Sequence, residues 1–367
     1  MGELTREVTA RVVQKLPKVL LHDHLDGGLR PSTILDLAQE LGYVQLPTSN
    51  SQELATWFAN NAHTGSLPNY LAGFKHTCAV LQTKEALQRV SAEAIEDLAA
   101  DGVVYAEIRF APELHQKLGL TGSQTVKSVL DGVAAAIKKT GAKGQNIQVG
   151  VILCAMREFG NWDATARLAV EHRDDGVVGF DVAGPEKGFP LTKNLDVFRY
   201  LRRNNVHFTV HAGEAYKIAA VWDAVSVCGA ERLGHGLRLV DDIHQTPSGS
   251  YQLGQLAQYI RDRRIPLEMC PTSNIGTGSV PNMQDHPVDL LRDLRFRVTI
   301  NTDNRLMSAT NMTNEFLLLC KVFGYNYEDI LWFTVNAAKS CFAPFDKRCQ
   351  LINDIIFPQF KGVLQNK

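Results

Sequence analysis

Residues 18–28 read KVLLHDHLDGG. Val19, Leu20 and Leu21 form a short apolar run without helical spacing, as a strand buried on both faces requires. The residues just beyond that run decide between two architectures. An open, doubly wound sheet that binds a dinucleotide has G-x-G-x-x-G after its first strand. Here the run ends instead in HDHLDGG, with imidazoles and carboxylates where that loop would be. A closed barrel carries its chemistry at the C-terminal ends of its strands, and that is the arrangement this segment shows.

Seven further short apolar runs come later in the chain: Val103–Phe110, Ile147–Cys154, Val177–Ala183, Val206–His211, Arg232–Gly236, Ile265–Cys270 and Arg297–Asp303. With Lys18–His24 they make eight. Helical periodicity lies between them, as in the stripe Leu87, Val90, Ala94 and Leu98, with Gly102 as a stop before the second strand. Strands alternating with helices imply parallel βαβ units, and eight such units imply a closed (β/α)₈ TIM barrel. The segment from Arg30 to Ala100 is too long for one crossover helix. It is expected to form several helices between the first and second strands, a lid insertion over residues 30–100 that covers the C-terminal mouth. The stripe Leu67, Tyr70, Leu71 and Phe74 marks one of them. No linker or repeat interrupts the chain, so residues 1–367 are read as a single barrel domain.

Composition narrows the function classes. Lys plus Arg total 38 against 39 Asp plus Glu, so neither nucleic acid nor a membrane surface is expected as a partner. A small molecule is. The cysteines, seven in number and without CxxC spacing, argue against a disulfide framework and against a cysteine-type zinc site. Met1 to Lys18 lacks the apolar core of a signal peptide, and no apolar run is long enough to span a bilayer, so a cytoplasmic protein is expected.

Five polar residues fall at expected strand ends. His22 and His24, two apart on one strand, point to the same face. His211 ends the fifth strand, His235 the sixth and Asp303 the eighth. Each has a commoner structural use, a hydrogen-bonded core histidine or a helix-capping aspartate. Brought together at one barrel mouth, they make a nitrogen and oxygen donor set suited to Zn²⁺ with water in the remaining position. Position alone leaves His235 among the candidate ligands. Glu214, three residues beyond His211 in HAGE, is placed above that centre, where desolvation would raise its pKa enough to donate a proton near neutrality. The remaining histidines, 63, 76, 115, 172, 207, 244 and 286, sit at no strand end and are read as surface or core residues. Cys270, at a strand end, is read as a buried small hydrophobe and not as a nucleophile.

HDHLDG at 22–27, HAGE at 211–214, GHG at 234–236, CPTSN at 270–274 and NTDN at 301–304 together resemble the adenosine deaminase family. VVYAEIRFAP at 103–112, LCAMRE at 153–158 and GFDVAGPE at 179–186 extend the likeness over nearly the whole chain. The resemblance implies a (β/α)₈ barrel with one Zn²⁺ per subunit, held by His22, His24, His211 and Asp303. It implies that His235 is not a ligand but orients and helps deprotonate the water, then as a cation stabilises the oxygen developing at C6. Glu214 becomes the acid for purine N1, Gly184 the backbone donor to N3, and Asp26 the partner of the ribose 5′-hydroxyl. Asn304 stands where the best-known animal members carry aspartate; it donates to N7 without first needing a proton. His24 is expected to reach the substrate as well. The implied reaction is hydrolytic deamination of adenosine, and of 2′-deoxyadenosine, to inosine and ammonia in purine salvage. Two alternatives stay open at this point: a deaminase of adenine or of a modified adenosine, and a non-catalytic purine-binding protein on the same scaffold.

Overall fold

The computed structural model describes residues 7–65 and 67–365; the side chains of Leu67 and Pro68 also lie outside the described part, as do residues 1–6 of the N-terminal segment. Eight parallel strands run in sequence order: β1 (Lys18–His24), β2 (Val103–Phe110), β3 (Gln148–Met156), β4 (Val177–Ala183), β5 (His207–Ala212), β6 (Arg232–His235), β7 (Leu267–Met269) and β8 (Val298–Ile300). All residues of β2 are buried, because the sheet is covered outside by helices and filled inside by side chains. A small antiparallel hairpin, Ile243–Gln245 with Tyr251–Leu253, stands apart.

The ring closes between the first and last strands. The His24 N–H donates to the Asp303 carbonyl at 2.7 Å, and the Asp303 N–H donates to the His22 carbonyl at 2.9 Å. Regular ladder geometry in β8 ends at Ile300, short of the expected Asp303, for a visible reason. The Leu21 N–H, which a carbonyl would otherwise receive, donates to the Asn301 side chain at 2.9 Å. The seam is therefore partly stitched by a side chain.

Five helices occupy the long segment between β1 and β2: Pro31–Leu41, Ser51–Ala62, Leu67–Ala72, Phe74–Val80 and Lys84–Ala100. The last buries Leu87, Val90, Ala94 and Leu98, the stripe read from the sequence, and Gly102 comes after it at φ +80°. It is the ordinary crossover helix to β2. Among the described residues of this segment, Tyr70, Leu71, Phe74, Lys75 and Cys78 line the large cavity at the strand C-termini. These cavity-lining residues belong to the two short helices Leu67–Ala72 and Phe74–Val80. Among the described residues no helix is long and apolar enough to cross a membrane, and all seven cysteines are unpaired.

The crossover helix Lys84–Ala100 and its neighbour Gly122–Gly141 meet closely at Gly132. A Cβ there would lie 2.3 Å from the Gln88 carbonyl oxygen and 2.9 Å from the Gln88 Cα. Backbone cannot swing aside as a side-chain tip can. Gly132→Ala, which in an exposed helix would add stability by about 1 kcal/mol, should here destabilise by about 1–3 kcal/mol. A lowered urea midpoint at unchanged m-value checks this.

Candidate active site

At the mouth, imidazole and carboxylate groups converge. The Asp303 Oδ1 lies 3.4 Å from His22 Nε2 and 3.4 Å from His24 Nε2, and His24 Nε2 lies 3.3 Å from His211 Nε2. Donors bonded at about 2.1 Å to one tetrahedral ion would stand about 3.4 Å apart. The spacing is that of a metal cradle. His22 Nε2 is buried and has no hydrogen-bond partner, an orphan that only a bound species would satisfy.

The lone pairs are aimed from behind. His22 Nδ1 donates to Glu268 Oε2 at 2.9 Å, and His211 Nδ1 lies 3.0 Å from Asp181 Oδ2. Each carboxylate fixes the proton on Nδ1, so Nε2 faces the centre unprotonated. Ser273 Oγ donates to Asp303 Oδ2 at 2.6 Å, which leaves Oδ1 to face the imidazoles. Below, Arg109 holds both supporting acids, donating to Asp181 Oδ2 at 2.8 Å and to Glu268 Oε2 at 2.9 Å. Arg232 reaches Glu268 Oε1 at 2.7 Å and Glu107 at 2.6 Å.

Backbone shape serves the same centre. His235 and Asp303 take φ of 64° and 60°, a left-handed conformation that costs a non-glycine residue about 1–3 kcal/mol. A Cβ on Gly234 would press on His211 and His22 at 3.1–3.3 Å, and one on Gly27 would meet Asn304 Oδ1 at 2.0 Å. These glycines leave room for site side chains. Gly184 needs its glycine twice over: its φ is +95°, and a Cβ would meet Glu158 Oε2 at 2.5 Å.

A purely spatial grouping brings together His22, His211, His235 and Asp303, with His235 in the place expected of His24. Hydrogen bonds bear on the difference. The Val288 N–H can only donate, so His286 Nδ1, 3.1 Å away, must accept. His286 Nε2 then carries the proton and donates to Asn274 Oδ1 at 3.2 Å. That orients the amide, whose Nδ2 donates to His235 Nδ1 at 3.0 Å. The proton of His235 is therefore on Nε2, which offers no lone pair to a metal. Burial also holds His235 well below the usual histidine range and draws His286 down to about 3. A second proton on Nδ1 would meet the Asn274 amide protons. His24, by contrast, is drawn by burial down to about 3 and offers Nε2 directly to Asp303 and His211.

Glu214 sits 3.6 Å from His235 Nε2. Burial, then the charges of Asp303 and Glu186, raises its pKa to about 8. The loop that bears it is pinned by Glu186, which accepts from the N–H groups of Gly213, Glu214 and Ala215 at 2.7, 2.8 and 3.0 Å. Gly213, at φ +68° and with no room for a Cβ beside Val221, permits that turn. The cavity above, about 280 Å³, is lined by His24, Asp26, Gly184, Glu214, His235 and Asn304, so every residue expected to touch substrate borders it. Asp26 is buried, with His115 Nε2 3.5 Å from its Oδ2. Tyr70, from the short helices at the mouth, lies 3.0 Å from Ser308 Oγ and 3.2 Å from Ser273 Oγ.

Sequence reasoning missed Arg109, Asp181, Glu186, Glu268, Asn274 and His286. A signal existed for three of them. Arg109, Asp181 and Glu268 are charges inside otherwise apolar strands, and a buried charge must be paired.

Comparison with known proteins places this geometry. The family model described as adenosine deaminase matches residues 17–358. The chain is 53% identical over 348 residues to adenosine deaminase 1 of Streptomyces coelicolor, covering 95% of this chain and 88% of that one. It is 52% identical over 357 residues to the adenosine deaminase of Mycobacterium marinum, covering 97% and 99%. Among solved structures, an amidohydrolase from Burkholderia ambifaria with bound zinc superposes at a TM-score of 0.81 and 22% identity, covering 98% of this chain and 95% of that one. An adenine deaminase from Arthrobacter aurescens does so at 0.79 and 23%, covering 95% and 99%. At these identities the structural likeness speaks for the fold.

Asp181→Asn should keep the shape while removing the charge that fixes the His211 proton. Divalent-metal affinity is expected to fall by about 10–100-fold. Competition against a chromogenic chelator measures it, and an unchanged affinity would sink the role given to Asp181.

Proposed function

The chain belongs to the adenosine deaminase family, and on that premise we propose that it hydrolyses adenosine and 2′-deoxyadenosine to the corresponding inosine nucleosides and ammonia, as a purine-salvage enzyme of the cytoplasm. The family is one of metallohydrolases, and the orphaned His22 Nε2 within a cradle of tetrahedral spacing carries the assignment of a metal here. The donor set, three imidazoles and one carboxylate, suits a single Zn²⁺ held by His22, His24, His211 and Asp303. When bound, that ion would supply Lewis acidity and lower the pKa of water.

The chain's own residues then divide the work. Asn304 donates to purine N7 and the Gly184 N–H to N3, which presents C6 to the centre. Glu214, still carrying its proton near neutrality, gives it to N1 as electrons enter the ring from the attack at C6. His235 donates from Nε2 to the oxygen arriving at C6, oriented by the Val288–His286–Asn274 chain; the proton from Glu214 stays on N1, one proton of the attacking water returns to the Glu214 carboxylate and the other leaves with the amine as ammonia. Asp26 accepts from the ribose 5′-hydroxyl. A buried carboxylate in that position repels a 5′-phosphate and finds no donor on a 5′-methylthio group. The two helices bearing Tyr70, Leu71 and Phe74 act as a lid that keeps water from the base; Leu67, from the same expected stripe, lies outside the described side chains.

Loss of absorbance near the adenosine band, monitored with adenosine, adenine, AMP and methylthioadenosine, tests the reading. Turnover is expected with adenosine, and preferred turnover of any of the other three would overturn the substrate assignment. Glu214→Gln should lower kcat by about 10²–10⁴-fold. An acid must be protonated to act, so wild-type kcat should fall as pH rises through the Glu214 pKa. A bound cation offsets the share due to Asp303, so the fall should begin at or below about 8. Asn274→Asp supplies a second test. Aspartate accepts from both neighbouring imidazoles, which moves the His235 proton to Nδ1. A kcat loss of about 10²–10³-fold with little change in KM is expected; a kcat within twofold of wild type would end the donor role.

A further inference from the structure

A second cavity, of about 180 Å³, opens at the other end of the barrel, where β5 to β8 begin. His207, Arg232 and Arg297 open or precede those strands, Arg264 lies just before β7, and Lys339 and Arg348 come from the C-terminal helices. Arg232 is charge-paired with Glu107 and Glu268 inside the barrel. The other arginines lining it have no such charge pairing among the described residues.

Among the described residues, Arg264, Arg297 and Arg348 have no carboxylate within ion-pair distance. Glu231, the acid lining this cavity, is engaged by His207 Nδ1 at 2.7 Å. Arg348 Nη1 donates to the Lys339 carbonyl at 3.0 Å and Arg264 Nη1 to the Arg295 carbonyl, while the Arg297 guanidinium has no acceptor. The Nε atoms of Arg297 and of Arg348 are both buried without a partner. Burial first, and then the charges of Arg264 and Arg348, make Arg297 a weaker base than usual. Like charges have thus been crowded into a recess with donors left unmade, an arrangement that costs free energy on both counts.

A dianion with tetrahedrally disposed oxygens removes both costs, since guanidinium forks match its geometry and its charge offsets theirs. We propose that this cavity is a binding site for phosphate, free or as the phosphoryl group of a small metabolite, engaged by Arg264, Arg297 and Arg348. It lies at the far end of the strands from the catalytic cavity, so its occupancy adds to folding stability without competing with the nucleoside.

The test uses the full-length, metal-loaded protein in chloride buffer at constant ionic strength. Inorganic phosphate should raise the Tm by about 3 °C at a hundredfold excess over Kd. Arg297→Gln and, separately, the more peripheral Arg348→Gln should each weaken phosphate affinity, measured by calorimetry, by about tenfold or more. Both variants should keep wild-type kcat for adenosine. Ribose 5-phosphate binding more tightly than phosphate would identify an organic phosphoryl group as the ligand; equal or weaker binding would identify free phosphate. No rise beyond that in chloride, or an equal rise in wild type and both variants, would overturn the site.

Discussion

Arg109 stands at the centre of what this barrel must hold together. A guanidinium with no exposed surface binds Asp181 on one side and Glu268 on the other, and each of those carboxylates fixes the proton of an imidazole at the mouth. Removing a single partner from such a network would strand an uncompensated charge in the core, at a cost of about 3–5 kcal/mol. The same rigidity is useful above. Imidazoles that cannot rotate and carboxylates that cannot wander need no reorganisation when charge develops next to them. Stability and preorganisation therefore draw on one set of contacts.

Much of this was legible in the sequence. The expected bounds of β1, β2 and β4 coincide with those observed, because Lys18–His24, Val103–Phe110 and Val177–Ala183 are short apolar runs bounded by polar or glycine-bearing segments. β8 was read too long because beyond Ile300 the Asn301 side chain takes over a ladder bond and Asp303 turns left-handed. The His-x-His pair, HAGE and NTD could be placed at strand ends by period alone. The pairing within the supporting shell could not be read, because Arg109, Asp181 and Glu268 are joined through space, from β2 to β4 and β7. Pairing between distant charges leaves no local period to read.

The His235 proton shows the same limit more sharply. Its position depends on a donor at Val288, an imidazole at 286 and an amide at 274, and His286 taken singly is an unremarkable core histidine. Only the chain of contacts makes its role visible, since each member has one permitted orientation once the backbone N–H is fixed.

The seam between β1 and β8 has a consequence for how the molecule comes into being. The residues that meet there, 22 to 24 and 303, include members of the donor cradle, and nearly three hundred residues of chain separate them. A growing polypeptide carries its first imidazoles from early in synthesis but has no complete set of donors until the eighth strand docks against the first. His22, His24 and His211 precede the eighth strand in the chain, so the Asp303 carboxylate is the donor that closure of the ring brings in last.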